Sequence, residues 1–322
     1  MRRRHLLLGA ALSPPAAWPA FGQAEFPDHP ITIVLGYAPG GLTDVVTRQA
    51  TEPMQRVLGR PLLVENRTGG ATAVASTYVA QARPDGYTLL MGTSSLAINP
   101  TLQPNLTPRD PVAAFAPIGP FCYSAQVLLV RAGLPVRTIA EFIAYARARP
   151  GQLNFANSGN GAVNHLLAVM FNRAAGITAS NVPYRGATPG LTDLRAGTVD
   201  ATFATPQDCQ PLVQDGAARM LAVSSRDRLA LLPALPALAE SIPGFHGVFS
   251  VWLFAPAGTP EPIIAKLSAA LAAAKADPGL RERAAAGAVV LVPGGPAELA
   301  AEMRAEAATW GRLIRDAEIK PD

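Results

Sequence analysis

Ile31-Thr-Ile-Val-Leu-Gly36 followed by Tyr37-Ala-Pro-Gly-Gly-Leu-Thr-Asp44 is the stretch on which the fold turns. The first six residues are a short β-branched apolar run, which reads as a buried strand. Pro39 cannot donate to a strand ladder, so the strand ends before it. Gly40 and Gly41 permit positive φ and close approach of a ligand to the backbone. Thr43 and Asp44 are N-cap and first-turn residue types. Val46, Met54, Val57 and Leu58 then recur at helical spacing, which predicts a helix over Val45–Leu58. The first amides of such a helix have no intrahelical acceptor and form a natural anion site. A tight βα turn without a ligand fits the same residues. The motif is neither GxGxxG nor a Walker loop, so no nucleotide is implied.

The pattern repeats downstream. Leu62–Asn66 reads as a second strand, Arg67–Ala71 as a glycine turn and Ala73–Ala82 as a small-residue helix. Tyr87–Met91 is a third strand ending in Gly92-Thr-Ser-Ser95. A βαβαβ rhythm with short connections predicts a parallel sheet with right-handed crossovers. Ligands of such sheets sit beyond the carboxyl ends of the strands, so the loops 37–44, 66–71 and 92–95 share one edge. Phe115–Gly119 and Gln126–Val130 read as two further strands with Cys122 between them. After the helix Thr138–Arg147, the strand Leu153–Asn157, the turn Ser158-Gly-Asn-Gly161 and the helix Val163–Ala175 restate the first unit in kind, without a strict sequence repeat. Asn181–Tyr184, a helix from Pro189 to Ala196 and Thr198–Thr205 continue the second set. Met220–Ser224 and Phe249–Phe254 are apolar runs expected to recross to the first lobe. Thr259 is expected to cap a helix with Pro260 in its first turn, ended by Asp277-Pro278-Gly279. A last helix spans about Pro296–Asp316.

Composition narrows the function. Arg2, Arg3 and Arg4 precede a short apolar core, Leu6–Leu12, and Gly22-Gln-Ala24 is a small-x-small cleavage site. Residues 1–24 therefore read as an export signal, by the general or the twin-arginine route, and the apolar run is too short to span a membrane. That segment holds three of the 27 basic residues and no acid. The remainder carries 24 basic against 23 acidic residues, a net charge of +1. No basic footprint for nucleic acid is left. Two cysteines, Cys122 and Cys209, are too few for a disulfide scaffold; they either pair in an oxidising compartment or stay as separate buried thiols.

The search for catalysis returns little. Beyond residue 24 the histidines are His29, His165 and His246, without HxxxH spacing or a Cys/His cluster, so no metal site is expected. There is no GxSxG elbow. Ser158 with His165 is the one serine–histidine combination to weigh, against a His165 that holds the loop by a local hydrogen bond. The remaining pattern is glycine, Thr, Ser and Asn at turn positions, which supplies amide and hydroxyl donors for a carboxylate. No cofactor is expected.

Six stretches together resemble one family: Tyr-Ala-Pro-Gly-Gly-Leu-Thr-Asp (37–44), Val-Glu-Asn-Arg-Thr-Gly-Gly-Ala (64–71), Arg-Pro-Asp-Gly-Tyr-Thr-Leu-Leu (83–90), Asn-Ser-Gly-Asn-Gly (157–161) with His165-Leu166, Val-Pro-Tyr-Arg-Gly (182–186) and Ala-Pro-Ala-Gly-Thr-Pro (255–260). Their order and spacing are similar to the Bug receptors, the periplasmic solute-binding proteins of tripartite tricarboxylate transporters. The resemblance implies a type II periplasmic-binding-protein fold: two α/β lobes, a central cleft and crossing hinge strands. It implies lobe 1 over 25–124, completed by 250–322, and lobe 2 over 125–249. The ligand is then a small carboxylate, the partners are membrane permease subunits, the location is the periplasm and the protein is a monomer. Carried onto this chain, the first grip is Tyr37, Gly40, Gly41, Thr43 and Asp44, with Asp44 orienting a water or an amide. The second is Ser158, Gly159, Asn160, Gly161 and His165, and Thr93, Ser94, Tyr184 and Thr205 are side contacts. The sequence departs from the family where Thr72 and Ala75 replace usual glycines. Two other functions remain open, a module presenting ligand to a sensor and an exported hydrolase built on Ser158 and His165.

Overall fold

The computed structural model describes residues 26–321, so the export segment read at residues 1–24 lies outside the described residues. Among the described residues eleven strands form two sheets. They are β1 (Ile31–Leu35), β2 (Leu62–Asn66), β3 (Thr88–Thr93), β4 (Phe115–Ala125), β5 (Val127–Arg131), β6 (Leu153–Asn157), β7 (Ala179–Pro183), β8 (Ala201–Ala204), β9 (Ala218–Val223), β10 (Val248–Pro256) and β11 (Val289–Leu291). The first sheet has the order β11-β4-β10-β3-β1-β2 and the second β7-β6-β8-β5-β9.

Each sheet is built on the same plan. β2-β1-β3 are parallel, and β10 joins β3 antiparallel. β7-β6-β8 are parallel, and β5 joins β8 antiparallel. The antiparallel strand in each case arrives from the other sheet: β5 follows β4 after Gln126 alone, and β10 follows β9. These are two α/β lobes with crossing strands between them.

The strand sequences show why both faces must be covered. Ile31, Ile33 and Leu35 of β1 enter one apolar cluster while Val34 enters another. Leu89 and Met91 against Leu90, and Val127 and Leu129 against Leu128 and Val130, alternate in the same way. Strands buried on both faces read as continuous apolar runs, with the period of two deciding only which layer each residue joins. The cluster containing Val34, Leu90 and Leu128 also takes in Phe155, Phe203, Trp252 and Trp310, so one apolar core runs through both lobes.

Several expectations are corrected. Val46, Ala50, Met54 and Leu58 form the buried stripe of the helix Leu42–Leu58, at a strict spacing of four, whereas Val57 faces solvent. Gly41, not Thr43, takes the cap position of that helix, and Thr43 is buried inside its first turn. β4 is one strand that runs from Phe115 through Cys122 to Ala125, beyond the expected end at Gly119; two bulges against β10, beside Pro117 and Pro120, accommodate its prolines. Met220–Ser224 does not recross. β9 stays at the edge of the second sheet, paired with β5. Thr259 donates its hydroxyl to the Pro256 carbonyl at 2.8 Å and caps nothing; the helix begins at Glu261. Asp277 ends that helix and caps the next, Pro278–Ala286, by accepting from Leu280 N at 2.9 Å. Cys122 and Cys209 are both buried free thiols.

Candidate ligand cleft

β1 and β6 occupy matching places in their sheets, and each runs into a glycine loop and a helix. The helix after β1 starts at Leu42 without a side-chain cap, and its first backbone bond is Val45 N–H to the Gly41 carbonyl at 3.0 Å. The helix after β6 starts at Val163, again without a side-chain cap, and its first bond is Leu166 N–H to the Ala162 carbonyl at 3.0 Å. The amides of Leu42, Thr43 and Asp44, and of Val163, Asn164 and His165, therefore precede the helical ladder.

Both helix starts face one cavity of about 270 Å³, lined by Gly41, Leu42 and Thr43 from the first lobe and Ser158, Ala162, Val163 and Asn164 from the second. Two more helices of the second lobe bring their first turns to it: Ala187 opens the helix Ala187–Ala196, and Thr205 caps the helix Pro206–Gln214, which contributes Asp208. Four helix starts thus border one space, each carrying partial positive charge. Tyr37, Phe249, Gln126 and Ala204 complete the wall. A second space of about 520 Å³ shares Tyr37, Ser158, Ala162, Val163 and Phe249 and extends past Gly159, Asn160 and Gly161 to Ala71, Thr72, Ser95 and Asn99. The lobes touch at its far end. A Cβ at Gly161 would lie 2.0 Å from Leu102 Cδ2, so only glycine allows that contact.

The first loop is ordered by charge. Asp44 is 3 % exposed. Its carboxylate accepts from Gly40 N at 3.0 Å, Asn66 Nδ2 at 2.9 Å and Arg48 Nε at 3.0 Å. The Arg48 bond, opposed by burial and aided by the Gly40 and Asn66 bonds, holds the carboxyl down to about 2. Gly40 sits at φ +85 and its amide is committed to Asp44, so it shapes the loop behind the cavity wall. Asn66 also donates to the Tyr37 carbonyl at 2.9 Å. The Tyr37 hydroxyl bonds Thr93 Oγ1 and Ser95 Oγ, both at 3.0 Å, and its ring meets Phe249 edge-on at 6.0 Å.

The second loop is ordered by neutral groups. Asn164 Oδ1 accepts from Ser158 N at 3.2 Å and its Nδ2 donates to Ser158 Oγ at 2.9 Å. Asn157 Oδ1 accepts from Gly159 N at 3.0 Å, and His165 Nδ1 accepts from Gly161 N at 3.0 Å. With Nδ1 used as an acceptor, the neutral imidazole carries its proton on Nε2, which is then a donor and not a base. The Ser158 hydroxyl oxygen accepts from Asn164 Nδ2.

The residues picked from sequence fall into three groups. Tyr37, Gly41, Thr43, Ser158, Gly159, Asn160, Gly161 and Thr205 line the two spaces. Gly40, Asp44, Thr93 and His165 are not in the lining; Thr93 bonds Tyr37 and His165 accepts from Gly161, which are, while Gly40 donates to Asp44. Ser94 is fully buried and accepts from Ser250 N at 3.0 Å, and the Tyr184 hydroxyl donates to Asp193 Oδ2 at 2.6 Å; neither lines the cleft. Sequence reading missed Phe249, Gln126, Asn164 and Asp208. Phe249 and Gln126 lie where the chain crosses between sheets, and no local motif marks such positions. Among the described residues no group of three His, Cys, Asp or Glu is placed to hold a metal, and no helix is long and apolar enough to cross a membrane.

Two α/β lobes around a cleft bordered by helix starts define a solute-binding protein of the periplasmic type. The family model for the tripartite tricarboxylate transporter family receptor matches residues 46–319, and the chain belongs to that family. It is 34 % identical over 260 residues to a UPF0065 protein of Bordetella pertussis, covering 80 % of each chain. It superposes on the periplasmic binding protein BugD with a TM-score of 0.76 at 31 % identity, covering 92 % of this chain and all of that one. The structure of Rpa4515 from R. palustris with adipate matches with a TM-score of 0.79 at 30 % identity, over 92 % of this chain and all of that one. The family and these neighbours are solute-binding receptors.

Proposed function

We propose that this protein is an exported receptor that closes two lobes on a small carboxylate and delivers it to the permease of a tripartite tricarboxylate transporter. The observation that carries this is the shared cavity: the helix start at Leu42 belongs to one lobe and that at Val163 to the other, and both border one space. Residues 25–124 with 250–322 form the first jaw and 125–249 the second. Residues 1–24 serve as the export segment, and the receptor acts as a monomer. The adipate in Rpa4515 supports a carboxylate as the class of guest.

The mechanism follows from the geometry. A carboxylate oxygen at a helix start gains roughly 0.3–1 kcal/mol per favourable end when exposed, and up to about 2 when partly buried. A guest held by one lobe alone gains only part of that. Contacts with both lobes exist only in the closed form, so the guest shifts the hinge equilibrium by the difference. Thr43, Ser158, Asn164 and Gln126 add polar contacts, and Leu42, Phe249, Val163 and Ala204 cover the carbon skeleton. The test is a thermal-shift screen of carboxylic acids on the purified protein, with mass spectrometry of the small molecule released on denaturation. An acid at ~100 times its dissociation constant adds about 2.7 kcal/mol to stability. Stabilisation by amines or neutral sugars and by no acid contradicts the proposal.

A further inference from the structure

The charges of the cleft say more about the guest than the helix starts do. Across both spaces, among the described residues, no lysine, arginine or histidine lines the wall, and one carboxylate does, that of Asp208. The other acid near the site, Asp44, is neutralised behind the wall by Arg48. Asp208 differs. It is exposed, no ion pair is formed with it among the described residues, and its Oδ2 takes the Thr205 hydroxyl at 2.7 Å, while Thr205 Oγ1 accepts from Asp208 N at 3.2 Å. That leaves Oδ1 without a bond among the described residues. The cavity between Asp208 and the starts at Leu42 and Val163 is walled by Leu42, Val163, Ala187, Ala204 and Phe249, which suits a short apolar chain.

We infer that Asp208 sets specificity: the preferred guest carries one carboxylate for the helix starts and a cationic or donor-bearing distal group, an ω-amino acid in chemical class, and a second carboxylate is disfavoured. This rests on the carboxylate-receptor reading above. The physical reason is the absence of a compensating cation among the described residues of the wall. A diacid places its second negative charge in a partly desolvated space whose one fixed charge is also negative, whereas an ammonium there pairs with Oδ1. Asp208 also stands in the first turn of its own helix, whose dipole it offsets. Its contribution is thus a bias between guests.

The experiment is calorimetric titration of three matched series, the C4 to C8 ω-amino acids, α,ω-diacids and plain monoacids, each affinity expressed relative to the monoacid of the same length. The wild-type protein is expected to bind its best ω-amino acid at least ~10-fold tighter than the diacid of that length. Asp208→Asn, which keeps an oxygen acceptor for Thr205, is expected to bring the two within about threefold. Asp208→Ser is the second variant should Asp208→Asn melt early. Diacids preferred by the wild type, or a ratio unmoved in a folded Asp208 variant, overturns the inference while leaving a carboxylate receptor. Failure of all three series overturns the receptor reading and this inference with it.

Discussion

The two glycine loops occupy equivalent places, after β1 and after β6, and they are held by different chemistry. The first hangs on a buried carboxylate with Arg48, Asn66 and the Gly40 amide around it. The second hangs on Asn157, Asn164 and His165, without a fixed charge. A carboxylate guest explains why this difference is tolerable. The first lobe can hold an acid near the site because Arg48 cancels its charge and it lies behind the wall. The same end, two rows of aimed amides, is reached once by an ion pair and once by amide and imidazole hydrogen bonds.

The equivalence of the two loops can be broken at the wall itself. Gly41 is extended, at φ −75 and ψ 168, and a Cβ there would meet only the Ala38 carbonyl at 3.6 Å. Gly41→Val should therefore fold, with a melting temperature close to wild type, and fill the cavity. A loss of carboxylate binding of at least ~100-fold is expected, about 3 kcal/mol. Undiminished affinity would place the guest elsewhere.

Next come the two latches. Asp44→Ala leaves a half-exposed arginine, an amide and an asparagine without their shared acceptor, and should cost about 2 kcal/mol in a denaturant titration. Asn164→Ala removes neutral bonds and should cost nearer ~1 kcal/mol. Equal costs would erase the distinction between a charged and a neutral latch. The sign in pH follows as well. The Asp44 carboxyl is held at about 2, below its ordinary 3.8, so the stability it contributes is fully present above pH ~4 and is lost as pH falls through 2.

The hinge supplies the opposite sign. Glu306, on the last helix, accepts from the Ser250 hydroxyl and from Trp310 Nε1 at 3.3 Å. Burial pushes its carboxyl up to about 7, against the Ser250 and Ser94 bonds that pull it down. Its protonated form is the one the fold prefers, so the stability it contributes is fully present below pH ~4.5 and declines as pH rises to 7. Glu306→Gln should flatten that slope, which amounts to roughly 3 kcal/mol across the window. A wild-type stability that rises between pH ~5 and ~7 by the same amount would contradict this.

The smallest effect concerns Thr72. It sits at φ +76, next to Ala71 at φ +49, where the sequence departs from the family's glycines. Thr72→Gly should relieve left-handed strain of about 1 kcal/mol, partly offset by chain entropy, and raise the melting temperature slightly. A clear fall would mean that the packing of Thr72 against Gly36 matters more.

How much of this was legible depended on how local the cause is. The β1 run, the glycine turn and the helix stripe are contiguous in the chain, and period and turn chemistry exposed them. The pairing of loops 41–43 and 158–164 in one space was reachable because the motif occurs twice. Gln126 and Phe249 were invisible, since their place in the wall comes from strands crossing between sheets. Asp208 was missed because the run Pro206–Gln214, with proline at both 206 and 211, does not advertise a helix. Gly41 takes the cap position, so the helix begins two residues before the start a Thr43 cap would give.

The central claim is that amides from both lobes hold one carboxylate group. The most direct measurement is the ¹⁵N–¹H spectrum of the assigned protein, titrated with the tightest-binding acid of the C4 to C8 series. The largest shifts are expected together at the amides of residues 42–44 and 163–165, saturating at the same concentration. Shifts confined to one lobe, or to neither set, would contradict it.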